Sequence, residues 1–296
     1  MVEAGKTAVR RAIGRELKRM RNEKGLNLKA ATEATEKTRD KALMQVERGR
    51  NLPQLADIDV LLSTYDHSEQ IPHFRNVLGA AGGRRGLRDW WEGRLPPGFV
   101  PESSKLLYSG EASAIELSIY QPQFVPDFLR TPAYAKAMAH ADRPSADETE
   151  IRLWVELSQG RQEVLNRDDP PQVHCVVDEA VLHRQVGGPD VLREQIDYLV
   201  ELGHRPNVDI RVLPFAGGAS VDTGTGFTRI VLIPELPDYP GLVHVRATTH
   251  DIYLEEPEEI APFDEVFGLL SAQALRPEPS RDLLTAIADG LRTRTH

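Results

Sequence analysis

Residues 79–105 break the chain into two pieces that cannot share one regular architecture. They contain Gly79, Gly82, Gly83, Arg84, Arg85 and Gly86, then Trp90-Trp91, then Pro96-Pro97-Gly98. Glycine and proline at this density stop helices and strands, so a bend or linker is expected there. Before it, apolar residues recur at helical spacing; well beyond it, they alternate as in strands. A length of 296 residues suits two domains, the second of them sizeable. The adjacent tryptophans are expected to anchor the linker against the larger body. A base-stacking role would need aromatics interleaved with basic residues.

Charge follows the same division. Residues 1–50 hold 14 Lys/Arg against 7 Asp/Glu, a net +7, and since the whole chain is −9, residues 51–296 carry −16. A basic module on an acidic body suits docking on a polyanion, because phosphate contacts supply most non-specific DNA affinity. Other classes are disfavoured. No apolar run approaches the roughly 18 residues of a membrane span, and no apolar segment follows the N-terminal charges as in a secretory signal. The single cysteine, Cys175, sits among Val173, Val176 and Val177 and reads as a buried structural thiol. The histidines show no ligand spacing, so neither a metal nor a cofactor is expected. Together these features predict a cytoplasmic protein.

In the basic piece Val9, Ile13, Leu17 and Met20 fall on one helix face, and Gly25 is a C-terminal stop. A second helix is expected over 28–36. A third runs over 38–48, capped by Thr38, with Leu43 and Val46 inward and Gly49 after it. A fourth begins near Pro53, with Leu55, Ile58, Leu61, Leu62 and Tyr65 on its apolar face. Residues 1–78 therefore read as an all-α helix-turn-helix head.

Gly25-Leu26-Asn27-Leu28, Val46-Glu47-Arg48-Gly49-Arg50, Pro53, and Asp57 through Leu61-Leu62-Ser63-Thr64-Tyr65 resemble the Xre-type (repressor-like) helix-turn-helix. That resemblance implies that helix 38–48 enters the major groove. It turns Asp40, Lys41, Met44 and Gln45 toward base edges and Arg39, Arg48 and Arg50 toward phosphates. Lys and Gln suit base edges, and Arg suits phosphates. It also implies a homodimer on double-stranded DNA, since one such head reads one half-site. The chain departs from the family at the turn, where Thr35, Glu36 and Lys37 stand, and at Thr32, where a small apolar residue normally packs. An unsatisfied hydroxyl there costs about 1–3 kcal/mol.

From residue 106 to 296 an α+β domain is expected. Ala112, Ile115 and Ile119 make a helical face, Thr131-Pro132 opens a helix, and 148–166 is amphipathic. Strands are read at 173–177, 208–215, 227–233, 242–247 and 252–254, with a strong helix over 189–202 ended by Gly203. The β–α–β order at 173–215 predicts a parallel pair, followed by antiparallel strands. Two helices, 258–275 and 280–292, close the chain. The predicted class is an all-α head plus an α+β body with a mixed sheet.

The body carries Tyr120-Gln121-Pro122, Val125-Pro126, Leu129, Thr131-Pro132-Ala133-Tyr134-Ala135, Arg161-Gln162, Asp178-Glu179-Ala180-Val181-Leu182 and Val186-Gly187-Gly188-Pro189. Further on come Arg193-Glu194-Gln195, Asn207-Val208, Val212-Leu213-Pro214-Phe215, Phe227-Thr228 and Tyr253-Leu254-Glu255. In order and spacing these resemble the C-terminal domain of actinobacterial Scr1-type, antitoxin-like transcriptional regulators. The resemblance implies a DNA-binding transcription factor whose body senses a small ligand or binds a partner, often a small protein encoded nearby. The chain departs from that family at Asp127-Phe128-Leu129-Arg130, at Ser220 and at Arg246.

For chemistry in the body, Gly217-Gly218-Ala219-Ser220 and Thr223-Gly224-Thr225-Gly226 are the glycine loop that could hold a ligand, and Asp178 stands at the end of a buried strand. The loop leads into a strand, whereas a phosphate loop leads into a helix. Asp178 reads as a cap, and no nucleophile-elbow pattern is present, so no catalytic residue is assigned. The candidate ligand residues are Asp178, Gly217, Gly218 and Ser220. The main expectation is a DNA-binding regulator; the alternative is an enzyme with a degenerate head and a site near loop 216–226.

Overall fold

The four-residue spacing of Val9, Ile13 and Leu17 becomes the buried face of helix α1 (Lys6–Glu23), with Ala8, Ala12 and Met20 buried beside them. In the computed structural model, residues 5–33, 39–81, 88–221, 224–233 and 235–294 are described. Helices α2 (Leu28–Glu33), α3 (Asp40–Glu47), α4 (Leu55–Thr64) and α5 (Ile71–Ala81) follow, then α6 (Lys105–Ala112). The expected turn Thr35-Glu36-Lys37 and the Thr38 cap lie outside the described residues. Leu43, Val46, Ile58, Leu61, Leu62, Tyr65 and Phe74 complete the core that α1 packs on. Leu55, expected on this face, is 51% exposed. It begins α4, where Gln54 is the cap and Pro53 precedes it.

Helices α1 and α3 approach closely because residue 14 has no side chain. A Cβ on Gly14 would lie 2.2 Å from the Val46 carbonyl oxygen. Gly49, in the left-handed region at φ +67°, closes α3 with a paired-bond stop: its N–H donates to Val46 O (2.8 Å) and that of Arg50 to Gln45 O (2.9 Å). Gly25 ends α1 the same way, with N–H bonds from Gly25 to Asn22 O and from Leu26 to Arg21 O.

The start of α1 is capped from far away in sequence. Gly5 offers no side chain, yet the N–H of Thr7 donates to Asp89 Oδ1 (3.1 Å) and that of Ala8 to Ser109 Oγ (2.9 Å). Thr7 Oγ1 and Ser109 Oγ both donate to the Asp89 carboxylate, at 2.6 Å each, and Gly5 N–H donates to Ser113 Oγ at 2.7 Å. A carboxylate at a helix N-terminus satisfies orphan donors and complements the macrodipole. Asp89 is 3% exposed, so its replacement by alanine leaves buried donors unmatched. Denaturant titration of Asp89→Ala is expected to show a loss of about 2–4 kcal/mol; a change under about 0.5 kcal/mol would mean that α1 does not depend on this cap.

This capping explains why, by its contacts, the first unit is Met1–Glu92 with Val100–Ala114 and Val231–Gly241, rather than ending at residue 78. The tryptophans follow. Trp91 packs edge-on against Tyr108 of α6, 6.2 Å between centroids, so it anchors within this first unit instead of on the larger body. Arg19 and Gln70 reach Asp238 of the 231–241 segment at 3.3 and 3.2 Å.

The second unit comprises Gly93–Phe99, Ile115–Ile230 and Leu242–His296. It is built on a six-stranded mixed sheet of β1 (Ala114–Gln121), β2 (Gln172–Asp178), β3 (Val208–Leu213), β4 (Phe227–Leu232), β5 (Leu242–Arg246) and β6 (Asp251–Leu254), in the order β3-β2-β1-β4-β5-β6. Strands β1, β2 and β3 are parallel, with Ile119 opposite Cys175 and Cys175 opposite Ile210. The pairs β4–β5 and β5–β6 are antiparallel. Helices α7 (Pro132–Asp142) and α8 (Glu148–Gln162) connect β1 to β2, and α9 (Pro189–Leu202) connects β2 to β3. Helices α10 (Pro257–Gln273) and α11 (Pro277–Arg294) end the described chain.

The expected helical face of Ala112, Ile115 and Ile119 does not form: 105–112 is helix and Ile115 and Ile119 lie in β1. This strand is interior to the sheet, with Leu117, Ser118, Ile119 and Tyr120 all buried, so its two covered faces erase the alternation that identifies a strand. One face carries Tyr120, Val176, Leu213, Phe227, Val243 and Val245 against Ile260 and Leu270 of α10. Edge strand β3 is closed by side-chain and backbone contacts: Val212 N–H donates to Ser280 Oγ (3.0 Å) and Val212 O accepts from Leu275 N–H (2.9 Å). Cys175 is 1% exposed, and burial pushes its thiol well above the usual range, as for an inert structural residue.

Candidate functional site

Helix α3 sorts its residues by face. Leu43, Val46 and Glu47 are buried, whereas Lys41, Ala42 and Arg48 are exposed and Met44 and Gln45 half-buried. Lys41, Gln45 and Arg48 therefore follow one outer stripe at steps of four and three. Arg39 precedes the helix with extended backbone, its carbonyl accepting from Ala42 and Leu43 N–H groups, and its side chain is exposed. Arg50, also exposed, follows the Gly49 stop, and its carbonyl accepts from Arg10 Nη1 at 3.2 Å. All five expected DNA-contacting residues thus lie on or beside one helix with exposed or half-buried side chains.

Two polar links hold this helix. Arg21 and Glu47 form a two-pronged pair, Nε to Oε1 at 2.6 Å and Nη2 to Oε2 at 2.9 Å, with side chains 10% and 6% exposed. Hydrogen bonding to Glu47, with its charge, raises the Arg21 pKa against the opposing effect of burial. At the other end, Thr32 Oγ1 lies 2.6 Å from Asp40 Oδ1 and 3.1 Å from the Leu28 and Lys29 carbonyls. The hydroxyl has acceptors, so the penalty expected for a polar residue there does not arise. Asp40, expected on the reading face, is engaged in holding α3 to α2.

In the second unit Asp178 Oδ1 accepts from Ala180 N–H at 2.8 Å, capping the single turn Glu179–Leu182. Gly217 and Gly218 donate their N–H groups to Pro214 O and Phe215 O, and Phe215 N–H donates to Glu179 Oε2 at 2.7 Å. The glycine amides that would cradle a phosphate are thus used by the turn itself. Ser220 is half-buried beyond that turn, and Thr223 lies outside the described residues. Asp178 ends β2, and the turn with Gly217 and Gly218 follows the end of its neighbour β3.

Residues 105–286, more than half of the chain, match the family model described as "Domain of unknown function (DUF5753)". The chain belongs to the DUF5753 family. No curated protein and no solved structure matches it. Among the described residues no helix is long and apolar enough to cross a membrane.

Within the DUF5753 domain, the loop between β1 and α7 is held from several elements at once. Gln195 of α9, 0% exposed, accepts from Thr131 N–H at 2.7 Å and donates to Leu129 O at 2.8 Å. Gln159 and Gln162 of α8 donate to Arg130 O at 3.1 and 2.6 Å, and Tyr198 donates to Gln162 Oε1 at 2.9 Å. Val125 N–H donates to the Tyr134 hydroxyl at 3.3 Å, and Thr131 caps α7.

Beside the two charges of this loop, Asp127 and Arg130, come two from distant parts of the sequence, Arg161 and Arg246. The Asp127 carboxylate pairs with Arg130, whose Nε also donates to Val125 O at 2.8 Å. Arg161 of α8 reaches Asp127 Oδ2 at 3.3 Å, and Arg246, which ends β5, comes to 3.9 Å of the same oxygen. Burial opposes ionisation of Asp127, but Arg130, Arg161 and Arg246 outweigh it and hold its carboxyl well below the usual carboxylate range. Its contribution to stability is therefore in place at neutral pH and is lost only as the pH falls toward that lowered value. Asp127, Arg130 and Arg246, each a departure from the resembled pattern, meet at one point.

Proposed function

We propose that this protein is a DNA-binding transcriptional regulator, with α3 as the reading helix. Its DUF5753 body would serve dimerisation, ligand sensing or the binding of a small partner protein. The observation that carries this reading is the outer stripe of α3: Lys41, Gln45 and Arg48 on one face, flanked by exposed Arg39 and Arg50. A fork-shaped guanidinium suits phosphate, while an amide or an ammonium suits base edges. The net +7 of residues 1–50 supplies the electrostatic attraction, and the resemblance to Xre-type heads and Scr1-type bodies in their usual order supports the same conclusion. A catalytic reading has less to rest on, since the amides of Gly217 and Gly218 are taken up by their own turn.

Chromatin immunoprecipitation in the native host is expected to give a few sharp peaks with a shared inverted repeat, as a dimeric head requires. On the recovered site, Lys41→Ala and Gln45→Ala are each expected to reduce discrimination against mutated sites by about 1–3 kcal/mol. Arg48→Ala is expected to weaken all DNA similarly and lower the salt slope by about 1. If both Lys41→Ala and Gln45→Ala leave site preference unchanged, α3 is not the reading helix.

A further inference from the structure

In the acidic larger part of the chain three arginines, Arg130, Arg161 and Arg246, converge on one carboxylate, that of Asp127. Asp127 is already shared by Arg130 and Arg161, whose side chains are 13% and 6% exposed. Arg246 comes only to 3.9 Å of it, beyond hydrogen-bond distance, with its side chain 64% exposed. Arg184 lies over the Phe124 ring at 5.3 Å, and both it and Arg130 act electrostatically on the Tyr134 hydroxyl. Among the described residues Arg184 faces no carboxylate within ion-pair distance, so Arg246 and Arg184 add positive charge that Asp127 does not balance.

The placement has a topological reason. Strand β4 starts where β1 ends: a Cβ on Gly226, just before β4, would meet Tyr120 O at 2.7 Å, at the end of β1. Because β5 runs antiparallel to β4, its last residues return to that same end. Asp127 follows that end and Arg246 closes β5 beside it. Open α/β sheets place ligands beyond the carboxyl ends of their parallel strands, and β1, β2 and β3 all end on this side. A long, exposed contact such as Arg246 to Asp127 adds little to stability. A structural ion pair is therefore served by Arg130 and Arg161 and needs little from Arg246.

We propose that Arg130, Arg161 and Arg246 form a binding site for an oxyanion, the phosphate or carboxylate group of a small molecule. Asp127 holds the inner two guanidiniums in place and competes with the incoming anion. Arg246 moves from water onto the ligand. Guanidinium forks match the oxygen spacing of both groups, and the additional oxygen and charge of a phosphate favour it over a monocarboxylate. This site stands apart from the DNA-binding reading, because it is measured on the full chain without DNA.

Isothermal titration at constant ionic strength, with inorganic phosphate, phenyl phosphate and benzoate as probes, tests the proposal. Saturable binding of the phosphates alone identifies a phosphate site; saturable binding of benzoate as tightly identifies a carboxylate site. Arg246→Ala is expected to weaken binding at least tenfold. Asp127→Asn, which keeps the size and one acceptor oxygen, is expected to tighten it severalfold, an effect that a merely structural ion pair would not give. Arg292→Ala, an exposed arginine of α11 outside the cluster, is expected to leave it unchanged. The proposal is overturned if none of the probes saturates, if Arg246→Ala binds like the unaltered chain, or if Arg292→Ala weakens binding as much as Arg246→Ala does. Should Asp127→Asn fail to fold by circular dichroism, the exposed Arg246→Ala variant decides alone.

Discussion

Glu47→Ala is expected to destabilise the helical head by about 3–5 kcal/mol, because it leaves the Arg21 guanidinium buried without its counter-ion. The pair is two-pronged and nearly sealed from water, with the two side chains 10% and 6% exposed. Its removal leaves Arg21 Nη1 on the Leu26 carbonyl at 2.6 Å, a single neutral acceptor for a full charge. The loss falls where it matters for function, since Glu47 ends α3 immediately before Arg48 and Gly49. Hydrogen–deuterium exchange of peptides from α1 and α3 reads this unit separately from the sheet domain and should show both exchanging faster by the corresponding factor. The double variant Arg21→Met/Glu47→Leu removes both charges and is expected to recover most of the stability, because apolar replacement of a buried pair is often neutral or better. If Glu47→Ala alone exchanges like the unaltered chain, the pair does not hold α3 in place.

What could be read from the residues, and what could not, follows from the range of the interactions. The head was legible because its determinants are local: the stripe Val9, Ile13, Leu17, the stops Gly25 and Gly49, and the outward stripe Lys41, Gln45, Arg48 all obey one helical period. The strands β2 to β6 were legible from β-branched runs between turns. Strand β1 was not, since a strand covered on both faces carries no period of two. The Asp89 cap is invisible in sequence for a different reason. It joins α1 across 82 residues to Thr7, and no local pattern announces a cap supplied by another segment. The arginine site is the extreme case, with Asp127, Arg161 and Arg246 on a loop, a helix and a strand end. Their only trace was that Asp127, Arg130 and Arg246 departed from the resembled pattern. Gln162 and Gln195, noted merely as marks of that pattern, prove to be the residues that fix the same loop.

That fixing role makes Gln195→Ala the variant with the largest expected effect in the DUF5753 domain. Its amide lies at 0% exposure and satisfies two backbone groups of one loop, Thr131 N–H and Leu129 O. Alanine leaves both groups buried without partners, at about 1–3 kcal/mol each. It also opens a cavity between α9 and the loop, which adds to the loss. The expected total is about 3–5 kcal/mol, seen as faster exchange in peptides covering 125–140 and 189–202. The loop also carries Asp127 and Arg130, so the same variant should weaken phosphate binding even where the domain remains folded, while Arg161 and Arg246 keep their places on α8 and β5. Gln195→Met separates the two contributions. It fills the space but makes neither hydrogen bond, so its loss should fall between that of alanine and none. If Gln195→Met is as damaging as alanine, the two hydrogen bonds dominate; if Gln195→Ala leaves exchange in 125–140 unchanged, the loop is held by α8 through Gln159 and Gln162 instead.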